Sequence, residues 1–167
     1  MYVVVFLTFT IICCVMSLIK NRQGLSAPKV IDILLFYLLL INVGLTGLWA
    51  FIGHTFFAEQ VAASIGWAQG SPFQWEVAAA NLAFGILGVL CVFFKNGFWL
   101  ATGIGNSVFL FGAAFVHIRE IITADNTAIN NAGPVLYIGD IAIPLLILAL
   151  LFMKWRKNRQ PDRRPLV

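Results

Sequence analysis

Long apolar runs alternate with short polar punctuation along this chain. The runs cover residues 2–19, 30–53, 72–94, 98–118 and 134–153. Lys20-Asn21-Arg22 ends the first, Pro28-Lys29 precedes the second, and Lys95-Asn96-Gly97 separates the third from the fourth. The fourth ends at Arg119-Glu120, and basic residues follow the fifth. Each run reaches roughly the 20 residues that a helix needs to cross a bilayer, and a helix satisfies its own backbone polar groups there. The pattern predicts an all-α, polytopic transmembrane helix bundle of five spans. It forms a single domain over residues 1–155, with a basic cytoplasmic tail over 156–167.

Local chemistry sharpens the boundaries. Ser71-Pro72-Phe73-Gln74 has the form of a capping box with proline at the first helical position. Asn96-Gly97 is a tight-turn pair, so spans three and four are predicted to form an antiparallel hairpin. Gly133-Pro134 opens span five, and Pro144 inside it predicts a bend. Between spans two and three, Phe57, Val61 and Ile65 recur at helical spacing. They predict a short amphipathic helix on the outer interface, closed by Gly66-Trp67. Trp67 and Trp75 suit an interfacial aromatic belt. Residues 123–133, rich in Asn, Asp and Thr, predict an ordered turn region.

Composition agrees with this reading. The 167 residues are 60% hydrophobic and 11% charged, with a mean hydropathy of +0.91. A soluble domain carries about 25% charged residues, so that class is excluded. Charge then supplies direction. Ten of the eleven basic residues fall in the segments after spans one, three and five, and Arg119 is the exception. The positive-inside rule makes that side cytoplasmic, with the N-terminus outside. The first run lacks a basic leader and a small-residue cleavage site, so it reads as a retained helix. The net charge of +4 belongs to topology and anionic lipid; no nucleic-acid reader is expected.

The remaining polar residues are unevenly placed. Glu59, Glu76, Glu120, Asp125 and Asp140 lie on the outer side with His54 and His117. At about 1.5 Å per residue, Glu76 and Asp140 lie roughly 6 and 9 Å below the starts of their helices. Asn42, Thr46, Trp49 and Gly53 form a stripe on span two, and Gly103, Asn106, Ala113, His117 and Glu120 form one on span four. Tyr137, Asp140 and Pro144 align on span five. On span three, Ala78, Asn81, Gly85 and Gly88 make a small-residue face suited to close helix packing. These stripes predict an outward-facing polar pocket built from His54, Glu76, Asn81, Asn106, His117, Glu120, Tyr137 and Asp140.

Such a pocket suits several chemistries. His54, Glu76, His117, Glu120 and Asp140 offer the nitrogen and oxygen donors of a divalent metal site. A haem is not expected, since no attachment motif accompanies the two histidines. Buried carboxylates can carry protons, which suits proton-coupled transport or acid–base work. The bland alternative is hydrogen bonding that only locks helices together. Cys13, Cys14 and Cys91 form no Cys-x-x-Cys, which excludes a thiol–disulfide carrier.

Two blocks carry a resemblance. Gly53-His54, residues 61–67 (VAASIGW) and 71–76 (SPFQWE) form one; residues 117–120 (HIRE) and 131–137 (NAGPVLY), with Asp140 and Pro144, form the other. Together, over about Gly53 to Leu151, they resemble an uncharacterised family of small bacterial inner-membrane proteins, distantly DoxX-like. The resemblance implies a multi-pass protein of the bacterial inner (plasma) membrane and no established activity. The resulting expectation is a membrane protein whose pocket binds a small ligand or metal ion, with proton-coupled transport as an extension. Two alternatives stand beside it: a structural or accessory subunit of a membrane complex or homo-oligomer, and a membrane-embedded enzyme using a Glu/His acid–base pair.

Overall fold

The computed structural model describes residues 2–159. Among these residues the chain is helical, without strands. Five helical runs are long and apolar enough to cross a membrane: Tyr2–Lys20, Ala27–Phe56, Phe73–Leu90, Gly97–Ala124 and Val135–Lys157. The first is α1 (Tyr2–Lys20). The second comprises α2 (Ala27–Tyr37), a π-helical segment (Leu38–Leu45) and α3 (Thr46–Phe56). A short α4 (Ala58–Ile65) leads to α5 (Phe73–Leu90) and α6 (Gly97–Ala124). The last run opens with a π segment (Val135–Ala142) and continues as α7 (Ile143–Asn158). Residues 160–167, most of the expected basic tail, lie outside the described residues.

Glycine decides how the second and third runs meet. A Cβ on Gly47 would lie 2.9 Å from the Asn81 carbonyl oxygen and the Gly85 Cα. A Cβ on Gly85 would lie 2.8 Å from the Leu48 backbone nitrogen, and one on Gly88 would collide with the Gly44 backbone. The small-residue face foreseen on span three thus lets two backbones approach closely, which is how helices gain packing in lipid, where no hydrophobic force drives them together. Deeper in the bundle, Leu35, Leu39, Trp99 and Ile147 are buried in one apolar core. Gly103 lies under Ile147 and Leu151, bringing α6 against α7.

The core and the turn after α5 are tied together by Trp99, whose Nε1 donates to the Cys91 carbonyl at 2.9 Å. Nearby, Lys154 pairs with Asp32 and lies 5.0 Å over the Trp99 ring. This end of the bundle carries the loops bearing Lys20, Arg22, Lys29 and Lys95.

Several expectations need correction. The capping box does not form. Pro72 occupies the cap without a side-chain bond, and Gln74 Nε2 instead donates to the Ala58 carbonyl at 2.7 Å, tying α5 to α4. Helix α6 runs beyond Arg119-Glu120 to Ala124, because the polar residues there leave the backbone ladder intact until Asp125 turns left-handed at φ 51°. The hairpin of spans three and four closes at its turn, but α5 packs along the second run and meets α6 only sparsely. Phe84 stacks on Phe109 at 5.5 Å where they do meet. The interruption in span five is a π segment ending just before Pro144. Proline has no N–H to give the Asp140 carbonyl, so a regular α-helix could not run through this point.

Candidate functional site

A cavity of about 590 Å³ opens between the upper halves of the helices, at the end away from the Lys154–Asp32 pair. Its walls are mostly apolar, with Val43, Ala50, Val77 and Phe109 among them. Five of the eight sequence-predicted site residues line it: His54, Asn81, Asn106, His117 and Asp140. The span-two stripe of Asn42, Thr46, Trp49 and Gly53 lines it as well. The other three predicted residues do not. Glu76 sits in the first turn of α5 with its side chain exposed, and Tyr137 is 58% exposed on the outer surface of its π segment. Glu120 is half-buried but lies beyond the cavity wall. The helical register turns Glu76 and Tyr137 outward, since a few residues of slip at a helix start rotate every side chain by about 100° each.

That rotation also breaks the expected metal set of His54, Glu76, His117, Glu120 and Asp140. Among the described residues, no three His, Cys, Asp or Glu side chains gather at a metal-binding distance. Two of the five, Glu76 and Glu120, do not line the cavity that holds the other three.

A more specific arrangement surrounds His117. Its Nδ1 lies 2.8 Å from Asn131 Oδ1, and its Nε2 lies 3.7 Å from Asp140 Oδ2. All three residues are buried, and Asn131 is fully enclosed. Asn131 Nδ2 donates to the Asn126 carbonyl at 2.8 Å and approaches the His117 carbonyl at 3.4 Å. With its NH2 group committed to carbonyls, the amide must present its oxygen to the ring. Nδ1 therefore carries a proton, and Nε2 is the ring nitrogen that faces Asp140. Trp67 stacks on the face of the His117 ring, 5.4 Å between centroids and 20° from parallel.

An ionised carboxylate facing a lone pair would be repelled, and one proton placed between Oδ2 and Nε2 would relieve that repulsion and leave the pair electroneutral. The 3.7 Å separation is too long for a direct hydrogen bond, and Asp140 Oδ2 has no hydrogen-bond partner among the described residues. Asn106 Nδ2 and Asn42 Oδ1 are buried without partners too, as is His54 Nδ1. All four residues line the same cavity.

The two π segments supply two of these residues. Asn42 sits in Leu38–Leu45, where Thr46 N–H reaches back to the Ile41 carbonyl. Asp140 sits in Val135–Ala142. Such widened turns recur at functional sites because they re-aim a side chain that a regular helix would place elsewhere. Asn42 Nδ2 also bonds Thr10 Oγ1, fastening α1 to the second run beside the cavity.

Above the pair, the two loops close on one another. Asn126 Nδ2 donates to the Ile65 carbonyl at 3.0 Å, and Asn130 Nδ2 donates to Ser64 Oγ at 3.0 Å. Asn130 N–H donates to the Ser64 carbonyl at 3.3 Å. Helix α4 ends at Gly66, with φ +78° and the Asn126 side chain against its Cα, so no larger residue fits there. Its predicted apolar stripe divides: Ile65 is buried, Val61 faces the cavity and Phe57 is exposed. Sequence reasoning missed Asn131, Trp67 and Ser64 as parts of this site. Asn131 is one of several loop asparagines, and nothing in the spacing marks it as the partner of a histidine on another element.

The chain belongs to a family of unknown function (DUF6790), whose match covers residues 1–160. This agrees with the expected membership of an uncharacterised family and says nothing of a DoxX-like kinship. No curated protein matches the chain. No solved structure matches it either.

Proposed function

We propose that this member of the family is an integral membrane protein that binds a small ligand in the cavity and exchanges a proton with it through His117 and Asp140. The observation that carries the reading is the convergence of unpartnered polar atoms on one space. Asn42 Oδ1, Asn106 Nδ2 and Asp140 Oδ2 are buried, lack partners and belong to residues lining the cavity. A buried polar atom left unpaired costs about 1–3 kcal/mol. Three of them around one cavity of ligand size are the signature of a site whose missing partner is a bound molecule.

The His117–Asp140 pair adds chemistry to this recognition. A ligand group between Asp140 Oδ2 and His117 Nε2 would bridge a gap too wide for a direct bond. It could accept a hydrogen bond from one partner while donating one to the other, relaying the shared proton between them and itself staying neutral. By the positive-inside rule the end bearing Lys20, Arg22, Lys29, Lys95 and Lys154 is cytoplasmic, so the cavity lies in the outer half of a bacterial inner membrane.

Native mass spectrometry of protein extracted in a mild detergent tests this reading. The wild-type chain is expected to retain a non-covalent small molecule that the double variant Asn106→Leu, Asp140→Leu lacks at equal helicity. Indistinguishable ligand content in the two proteins would overturn the proposal.

A further inference from the structure

The cavity has two ends of different character. Its loop end is covered by α4 and the 123–133 loop, which are joined by the Ser64–Asn130 and Asn126–Ile65 hydrogen bonds and by Trp67 over His117. Its flank toward α5 and α6 is not closed in this way. At the floor of the cavity, Phe84 of α5 reaches α6 through Phe109, and a Cβ on Gly105 would lie 3.2 Å from the Phe84 ring. Above that contact α5 and α6 part. Val77 and Asn81 line the cavity from α5, and Gly112 and Val116 line it from α6. Val116 is 39% exposed, and a Cβ on Gly112 would meet nothing within 4 Å. On the opposite flank, Phe6 of α1 packs edge-on against Trp49, 6.5 Å between centroids.

The parted helices lie within the apolar stretch of two membrane-length runs, so the cleft faces hydrocarbon rather than water. A solute travelling this way must itself be lipid-soluble. The inner wall asks for a different property. Asn106 and Asp140 present an unpaired donor and an unpaired acceptor. Among the described residues no lysine or arginine lines the cavity, and its one acidic side chain, Asp140, already has His117 3.7 Å away. An uncharged head that both gives and accepts hydrogen bonds fits this wall, with an apolar body lying along Val77 and Phe109.

Resting on the ligand-binding reading above, we propose that the ligand is a neutral, lipid-soluble amphiphile that reaches the cavity sideways from the bilayer, between α5 and α6. The loop cap is a roof and does not serve as its door.

Photolabelling in phosphatidylcholine vesicles tests the route. The probe is a long-chain alcohol carrying a diazirine in its chain, with a short, water-soluble diazirine alcohol as comparison. Labelled positions are read by mass spectrometry. Gly112→Trp places a bulky ring in the open cleft. The pair Ser64→Cys, Asn130→Cys, oxidised to a cross-link, fastens the cap and provides a variant whose membrane-length helices are untouched. The long-chain probe is expected to label cavity residues in the wild type and in the cross-linked protein. Labelling should fall about tenfold in Gly112→Trp.

If cross-linking the cap abolishes labelling while Gly112→Trp leaves it intact, the lateral route is wrong and the binding reading survives. If the short probe labels the cavity and the long one does not, the ligand class is wrong. If neither probe labels the cavity of the wild type, both readings fall together.

Discussion

Asn131 Oδ1 lies 2.8 Å from His117 Nδ1, and that single contact sets which ring nitrogen faces Asp140. The asparagine comes from the loop before span five and the histidine from α6, fourteen positions earlier. An amide committed to two carbonyls on one side behaves as a pure acceptor on the other. The ring is held the way metal-bound and catalytic histidines are held, by a fixed partner on the nitrogen that does no chemistry.

Asn131→Leu removes that partner. It leaves the buried His117 Nδ1 without its bond, at a cost of about 1–3 kcal/mol, and frees the part-buried Asn126 carbonyl. Thermal unfolding followed by circular dichroism should show a lower midpoint. Retention of the wild-type midpoint would mean that the contact contributes nothing to holding the ring.

Asn106→Leu is expected to act in the opposite direction. Its Nδ2 has no hydrogen-bond partner among the described residues, so the ligand-free chain gains roughly 1 kcal/mol or more when the amide is replaced by an apolar group of similar volume. Stability should rise while ligand retention falls, the trade expected of a residue kept for binding. The check is a pair of readings on one preparation, the unfolding midpoint and the co-purified ligand content.

The glycine contact between the second and third runs makes a sharp comparison. Gly88→Ala would drive a methyl group into the Gly44 backbone, which no rotamer change can relieve. A loss of about 1–3 kcal/mol is the expected scale for such overpacking. Gly112→Ala, with open space around it, should be neutral or stabilising by up to about 1 kcal/mol, because alanine is the better helix former. Parallel melting curves separate the two, and equal midpoints would refute the packing account.

Much of this architecture was legible in the sequence because a membrane-length apolar run announces itself. The five runs emerge near their expected boundaries, and the span-three face of Ala78, Asn81, Gly85 and Gly88 meets the second run as its small side chains require. Asp140, His117 and Asn106 could be singled out because a polar residue is conspicuous in an apolar helix. Glu76 and Tyr137 misled for the same reason. Polarity marks a position along the helix but not the direction it faces, and Glu76 sits in a first turn where solvent and helix dipole both accept it. The π segments were not legible at all. They depend on how neighbouring helices pack, and no residue pattern in 38–45 or 135–142 distinguishes them from ordinary helix. The cap bonds between residues 64–66 and 126–130 join loops some sixty positions apart, and pairing of that kind leaves no local trace.

The central claim, that His117 and Asp140 form a proton-exchanging binding site, is tested most directly by nitrogen NMR of the histidine rings in protein reconstituted in vesicles. The chain has two histidines, so selective labelling yields two rings, and His54→Gln assigns them. Without ligand, His117 Nδ1 should appear protonated. Adding 1-decanol as a neutral amphiphilic probe should move the Nε2 resonance of His117 and leave its Nδ1 unchanged, and Asp140→Asn should abolish the response. A His117 ring that is unprotonated at Nδ1, or that responds identically in wild type and Asp140→Asn, would contradict it.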